Sequence, residues 1–353
     1  DAQYMGGKVE PARPAANNNN SNANHMMSVT TLTSANPESE FGWYLFTDAL
    51  YWHVDIGSTD WSTVNDSSNP PITKVHNHAL NFKWNWGFRA GIGANTSHDM
   101  WDGAFYYTWL YASNSNKAGK TGSVVVDQIG IGSSAPLQSG STKWDLHFSM
   151  FDWEMGRWSY FSKKLALRPR IGVKGGWIHS QVHTRFRNPG FTFLSDNGIH
   201  FNERFKNNFW GVGPAAGFGS MWVMGFAGQT MQHRFSLTGD FGGALMYGHF
   251  EVRNNQRAVD NNGVGILGIS QSGLTRNRVA AMLQAMMGLS WDVSFNQDKN
   301  HFMFNLGYEF QYWFRQNQLV QTFIETAPVA VINRRIADDL ALQGISARFR
   351  FDF

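Results

Sequence analysis

Two short stretches hold the residue types that general acid–base chemistry needs. His53 and Asp55 lie two apart in YWHVDI, and Asp145 and His147 lie two apart in KWDLHF. A carboxylate that orients an imidazole makes it a general base. Two His with two carboxylates are also a set that can hold a metal. The rest of the catalytic repertoire is thin. There is no Cys, so no thiol nucleophile, disulfide or Cys-ligated zinc is available. No G-x-S-x-G is present, which weighs against a nucleophile-elbow hydrolase. A third group of chemically active residues is larger: Arg, Lys, Asp and Glu placed singly between large rings, as in LALRPRIGVKGGWI and FMFNLGYEFQYWF.

The elements that must position these residues repeat with period two. Ten windows alternate: about 42–56, 78–93, 101–111, 143–156, 165–178, 207–223, 234–248, 278–295, 302–314 and 342–353. Alternation of this kind marks strands with one apolar and one polar face. Gaps after the second, fourth, sixth and eighth windows are short, as in ANTSHD and NQDKN, and the others are long and polar. An up-and-down antiparallel barrel, with turns on one rim and loops on the other, predicts this rhythm. The expected fold is therefore all-β, a transmembrane barrel of about 10 strands over 41–353. A segment at 123–132, SVVVDQIGIG, offers an extra hairpin and hence 12 strands. Residues 1–40 contain the Asn-rich tract NNNNSNANHMM and read as a flexible N-terminal segment.

Composition agrees with a membrane barrel. Aromatics are 15% and Gly numbers 36, yet charged residues are only 16%, against about 25% in soluble domains. Mean hydropathy is −0.35 and no long apolar run exists, so no helix is available to span a bilayer. The net charge of +3 is scattered, which excludes a nucleic-acid footprint. The chain begins at Asp1 without Met, as a processed, exported protein would.

In a barrel of this size the apolar face is expected outward. About eight strands already fill their interior with ordinary side chains, so dozens of rings belong in lipid. In LNFKWNWGFRAG, residues 80–91, this puts Leu80, Phe82, Trp84, Trp86 and Phe88 outside. Trp52, Trp101, Tyr111, Trp144, Trp177, Trp222 and Tyr312 become membrane-interface aromatics. Asp152 and Glu154 share parity with Trp144 and Phe148, and lipid-facing carboxylates are costly. A β-bulge near Met150–Phe151 is expected to turn them inward, with a similar device at Asp48.

The same phase makes Lys83, Arg89, Asp152, Glu154, Arg168, Arg170, Lys174, Asp240, Arg278, Glu309, Arg315, Arg348 and Arg350 the candidate pore-lining residues. Asp102, Asp145 and Asp292 also face inward. Charges of both signs in a narrow tube have two readings. They line a water path that sets ion preference, here weakly for anions, or they pair across the lumen and plug it. Asp152 and Glu154, beside Arg168, Arg170 and Lys174, read as a structural network. The pairs His53/Asp55 and Asp145/His147 fall inward near the loop rim, on strands separated by two others. They are expected to be solvated mouth residues, with no catalytic or metal role and no cofactor.

Several separated blocks carry a resemblance. FTDALYW at 46–52, DWEMGRWSYFSKKLALRPRIGVKGGWI at 152–178, FGGALMYGHF at 241–250 and LALQGISARFRFDF at 340–353 resemble the Legionella-type major outer membrane protein family. These are outer-membrane β-barrel porins with counterparts in chlamydia-related bacteria. The resemblance implies an outer-membrane location, pore formation and, in some members, attachment to host-surface ligands through long loops such as 112–142 and 253–276. It also implies partners in outer-membrane lipid or lipopolysaccharide. Phe349, Phe351 and Phe353 in phase resemble the C-terminal signal read by the barrel-assembly machinery. The expected function is a porin for small solutes with a mixed-charge, slightly basic lumen; a plugged structural or adhesive barrel is the alternative, and an omptin-like barrel enzyme is less favoured.

Overall fold

Alternation resolves into fourteen strands: β1 (Gly42–Ile56), β2 (Asp60–Asn65), β3 (Val75–Ala79), β4 (Trp84–Asn95), β5 (Trp101–Ala118), β6 (Val124–Asp127), β7 (Ser139–Arg157), β8 (Ser159–Tyr160), β9 (Leu165–Asn188), β10 (Ile199–Ala227), β11 (His233–Asp260), β12 (Gly265–Phe295), β13 (Asn300–Thr326) and β14 (Val329–Asp352). The computed structural model describes residues 42–65, 75–80, 82–96, 100–119, 124–127, 137–188, 198–228, 233–295, 300–326 and 329–353. The Asn-rich segment at the start therefore lies outside the described residues.

Ten of these strands form one closed antiparallel barrel, in the order β1-β4-β5-β7-β9-β10-β11-β12-β13-β14. The ring closes where β14 pairs with β1, from Tyr44↔Asp352 to Ile56↔Leu340. Closure removes the open sheet edges that hydrocarbon does not tolerate. Val124–Asp127 does not enter the barrel. It pairs with β2 in a separate three-stranded sheet, β3-β2-β6, so the count is ten and not twelve. Residues 128–132 lie outside the described residues.

The outer wall is apolar. Trp84, Trp86, Phe88, Trp101, Trp177, Trp210, Trp222, Leu245, Tyr247, Met287, Leu289 and Phe349 are all exposed there. Trp86 is 68% exposed, with Tyr51 of β1 beside it on the outer face at 4.7 Å. Replacing Trp86 by Arg should cost about 2–4 kcal/mol if it sits near the bilayer midplane, and so block membrane assembly. The heat-modifiable band shift of refolded protein on gels reads this directly, and an unimpaired shift would count against the wall's orientation.

Two strands have the opposite phase to the one expected. In β1, Tyr44, Phe46, Asp48, Leu50 and Trp52 all point inward, and Thr47, Ala49 and Tyr51 point out. In β7, Trp144, Leu146, Phe148, Met150 and Asp152 point inward, and His147, Phe151 and Trp153 point out. No bulge is needed. β7 runs in unbroken register with β5 from Trp101↔Arg157 to Ala118↔Gly140, and with β9 from Ser139↔Arg187 to Gly156↔Arg170. The carboxylates face the lumen because their whole face does. Trp52 and Trp144, expected at the membrane interface, are instead buried inside. Leu80 and Phe82 are buried too, because β4 starts only at Trp84 and the preceding residues fold inward; Phe82 packs edge-on against Trp144 at 6.2 Å.

The strands are far longer than a bilayer needs. β12 has 31 residues, whereas about 9–11 tilted residues cross the hydrocarbon. The excess stands above the membrane on the long-connection side. Residues 253–276, expected as a loop, are mostly the tip of the β11–β12 hairpin. Its turn is tight: Asp260 accepts the amides of Asn262 and Val264, and Gly263 takes φ +82°.

Candidate functional site: the barrel lumen

The interior is built in layers along the barrel. The lower layer, toward the short turns, is ionic. Arg89 reaches from β4 to Asp48 at 2.9 Å and to Glu309 across the lumen at 2.8 Å, with its Nε donating to the Thr108 hydroxyl. Arg348 on β14 clasps the same Asp48 through two contacts of 2.8 Å. Gln311 donates to Glu309. A second cluster strings Asp102, Arg168, Glu154, Arg170 and Asp240 together. Arg168 grips Asp102 at 2.7 Å and Glu154 at 2.8 Å, while Arg170 bridges Glu154 at 3.2 Å and pairs with Asp240. Lys174 pairs with Asp152 at 2.5 Å. At the turn rim Arg350 holds Asp352 at 2.5 Å, and His301 lies between Asp352 and Asp292, with Arg234 on the far side of Asp292.

Glycine makes room for the guanidinium groups. A Cβ on Gly156 would stand 2.7 Å from Arg168 Nε, and Cβ atoms on Gly217 and Gly242 would each come 3.0 Å from an Arg170 nitrogen. Bidentate Arg–carboxylate geometry fits such flat seats. Aromatic faces complete the layer: Arg350 lies 3.7 Å from the Tyr44 centroid and Arg348 4.6 Å from that of Phe46.

The upper layer is a hydrophobic core. Eleven rings of Trp and Phe share one buried cluster, among them Trp52, Trp144, Phe148, Phe205, Phe209, Phe250 and Trp313. The barrel holds them because the ionic layer is confined to the lower half and the strands carry the wall well above it. Across the mouth lie two caps. The β2–β3–β6 sheet sets Trp61 on Phe186 of β9 at 5.8 Å. On the other side, β13 shifts register between Trp313 and Asn317, with Arg315 at φ +53°. Beyond that bulge β13 pairs only with β14, and Gln316–Val320 are buried. The Asn207 amide donates to the Gln316 carbonyl and that of Asn254 to the Val320 carbonyl, so this hairpin folds over toward β10 and β11.

The cavity among Tyr106, Asp152, Glu154, Arg170, Lys174 and Gln284 measures about 20 Å³, room for about one water.

The expected lumen residues sort as follows. Arg89, Asp152, Glu154, Arg168, Arg170, Lys174, Asp240, Glu309, Arg348 and Arg350 face inward, and each is ion-paired. Lys83 precedes β4 and is exposed, so it is not part of the lining. Arg315 sits in the β13 bulge and is exposed. Arg278 is half-buried above the core, over the Phe250 ring at 5.2 Å. Trp101, Tyr111, Trp177, Trp222 and Tyr312 are on the outer face. His53, Asp55, Asp145 and His147 also point outward, because β1 and β7 are the two strands of inverted phase. Asp145 accepts the Tyr111 hydroxyl at 2.9 Å and pairs with Lys143 at 3.0 Å. Three strand spacings part β1 from β7, about 14 Å along the wall.

Several lumen residues escaped sequence reasoning: Arg234, His301, Asp352 and the hydroxyls of Tyr44 and Tyr106. Asp352 and Arg350 share parity in RFRFDF, a visible signal for the last of the carboxylates. His301 lay one residue before its window.

A closed, ten-stranded antiparallel barrel with an apolar outer wall and a paired ionic interior defines an outer-membrane β-barrel protein. The sequence profile of the Legionella pneumophila major outer membrane protein precursor matches residues 35–353, and the chain belongs to that family of the bacterial outer membrane. Among solved structures, the outer membrane protease OmpT from Escherichia coli is similar at 9% identity over 89% of this chain and 98% of that one, with a TM-score of 0.33. A mutant of the monoaromatic hydrocarbon channel TodX is similar at 10% identity over 94% of each chain, TM-score 0.28. A Pseudomonas aeruginosa FadL homologue is similar at 7% identity over 93% of this chain and 96% of that one, TM-score 0.26. No curated protein matches the chain.

Proposed function

We propose that this protein is a closed-lumen outer-membrane barrel whose work is done at its outer surface, as a structural or adhesive element, and not as a diffusion pore. One observation carries the reading: an ionic layer, a layer of rings and two caps lie in series along the lumen. A hydrated ion would have to break buried pairs such as Arg89–Glu309 and then cross a hydrophobic core. Both steps are costly. The surface role draws on the long hairpins that rise above the membrane, of which β11–β12 is the longest. In this reading the protein is not an enzyme. The imidazole–carboxylate pairs face outward on strands about 14 Å apart, too far to act together on one reacting group.

Planar-bilayer recording of the refolded protein tests it. The expected record is silent, although the protein is inserted by the band-shift criterion. Stepwise conductance would overturn the closed reading in favour of a porin, and reversal potentials under a salt gradient would then measure its ion preference.

A further inference from the structure

The ladder between β12 and β13 runs from Phe295↔Asn300 to Met282↔Trp313 and stops there. Above it β12 pairs only with β11, while β13 turns through its bulge and joins β14 in the cap. A slit therefore opens in the wall just above the outward apolar run, which ends at Val279 on β12 and Phe314 on β13. Four arginines gather at this slit. Arg276 and Arg278 share one face of the edge of β12 that β13 leaves unpaired, Arg278 reaches the backbone of Arg315 in the bulge, and Arg335 lies in the cap opposite Val320.

Among the described residues none of the four makes an ion pair, in contrast to the arginines of the lumen. Arg278 donates to the Arg315 carbonyl at 3.4 Å and lies over Phe250. The carboxylate beside the cluster, Asp339, is already engaged, accepting the Tyr312 hydroxyl at 2.5 Å and the Arg315 amide at 2.6 Å. The neighbouring Asp338 is engaged as well, accepting the Ser58 hydroxyl at 2.7 Å and the Asp339 amide at 2.9 Å. Burial, and then the charges of Arg315, Arg276 and Arg335, hold Arg278 below its ordinary pKa, and burial with Arg276 does the same to Arg335. Like charges crowded in this way are unfavourable until an anion joins them.

The geometry points to a phosphate-binding seat formed by Arg276, Arg278, Arg315 and Arg335, filled by the phosphorylated headgroup of an outer-leaflet lipid. Phosphate suits the cluster because each guanidinium fork can meet two phosphate oxygens. A lipid source suits the position: the seat lies directly above the exposed apolar side chains that would contact acyl chains, and it opens sideways through the slit.

Native mass spectrometry of the full-length, detergent-solubilised protein, titrated with bis-phosphorylated lipid A, reads occupancy. Wild type should retain the lipid, and R276Q/R278Q should bind at least tenfold more weakly while keeping its heat-modifiable band shift. Dephosphorylated lipid A should bind wild type as weakly as the intact lipid binds the variant. R335Q, on the cap, gives the same reading should the double variant fail to fold, and R276K/R278K should recover part of the affinity. Equal retention by wild type and R335Q, or equal binding of the dephosphorylated lipid, would overturn the seat. Inorganic pyrophosphate that binds as tightly as lipid A would overturn the lipid source.

Discussion

Replacing Arg89 by Met should lower the stability of the folded barrel by about 3–5 kcal/mol. Arg89 and Asp48 are both almost wholly buried, and Arg89 alone connects Asp48 to Glu309. In the variant Asp48 keeps Arg348, but Glu309 keeps only the side-chain amide of Gln311. A buried carboxylate stripped of its cation costs far more than the pair contributed net, since desolvation remains and attraction is lost. The companion variant Arg89→Met/Glu309→Gln removes both charges and should recover most of the loss. Urea unfolding in lipid vesicles, followed by tryptophan fluorescence, gives the two midpoints. A loss below about 1 kcal/mol for Arg89→Met would mean that water, not protein, solvates these groups. The closed-lumen reading would fall with it.

The second large effect lies in the ring layer. Trp313 is fully buried, packs edge-on against Phe148 at 5.7 Å, and is the last residue of β13 in the wall before the bulge. Trp313→Ala should cost about 3–5 kcal/mol, the sum of lost transfer energy and the cavity left behind. It should not by itself create conductance, because the ionic layer beneath is untouched. Phe148→Ala removes the opposing ring, and the double variant should fall short of the summed losses, since the two residues touch. Both are measured in the same vesicle unfolding assay. A Trp313→Ala protein within about 1 kcal/mol of wild type would mean that the upper layer is loosely filled.

Much of this was legible in the sequence. Period two, alternating short and long gaps and sparse charge specify an antiparallel membrane barrel, and the ten windows match its ten strands. In β9, β12 and the membrane part of β13 one face is rings and the other charge and Gly, so parity assigns the faces correctly. β1 and β7 mislead for a physical reason. Both of their faces carry rings, and a rule that sends rings to lipid then chooses between two apolar faces. The deciding residues were Asp48, Asp152 and Glu154: a buried carboxylate fixes a strand's phase more firmly than any ring, because hydrocarbon tolerates Trp on either side but not Asp on the outside. Taking those three as anchors would have placed Trp52 and Trp144 inside without a bulge. The caps were only partly legible. SVVVDQIGIG showed strand character, but nothing in it said that Val124–Asp127 would pair with β2 outside the barrel, and the second cap depends on where β13 leaves its neighbour, at a bulge around Arg315 that leaves no pattern of its own.

The ionic layer has a consequence for assembly order. Arg89 and Glu309 are 220 residues apart in the chain, and Asp48 and Arg348 are 300 apart. Contacts of such separation form late. Asp48 belongs to the first barrel strand and Arg348 to the last, so their pairing waits for the seam between β1 and β14 to meet. Before that moment Asp48 has Arg89 from the neighbouring strand but lacks its Arg348 clasp, and Arg348 lacks its carboxylate. Ring closure therefore completes the ionic layer at the seam. A barrel that closed with a strand missing would bring a different strand to β1 and leave Arg348 and Asp48 without this pairing, so the seam itself carries a check on the strand count.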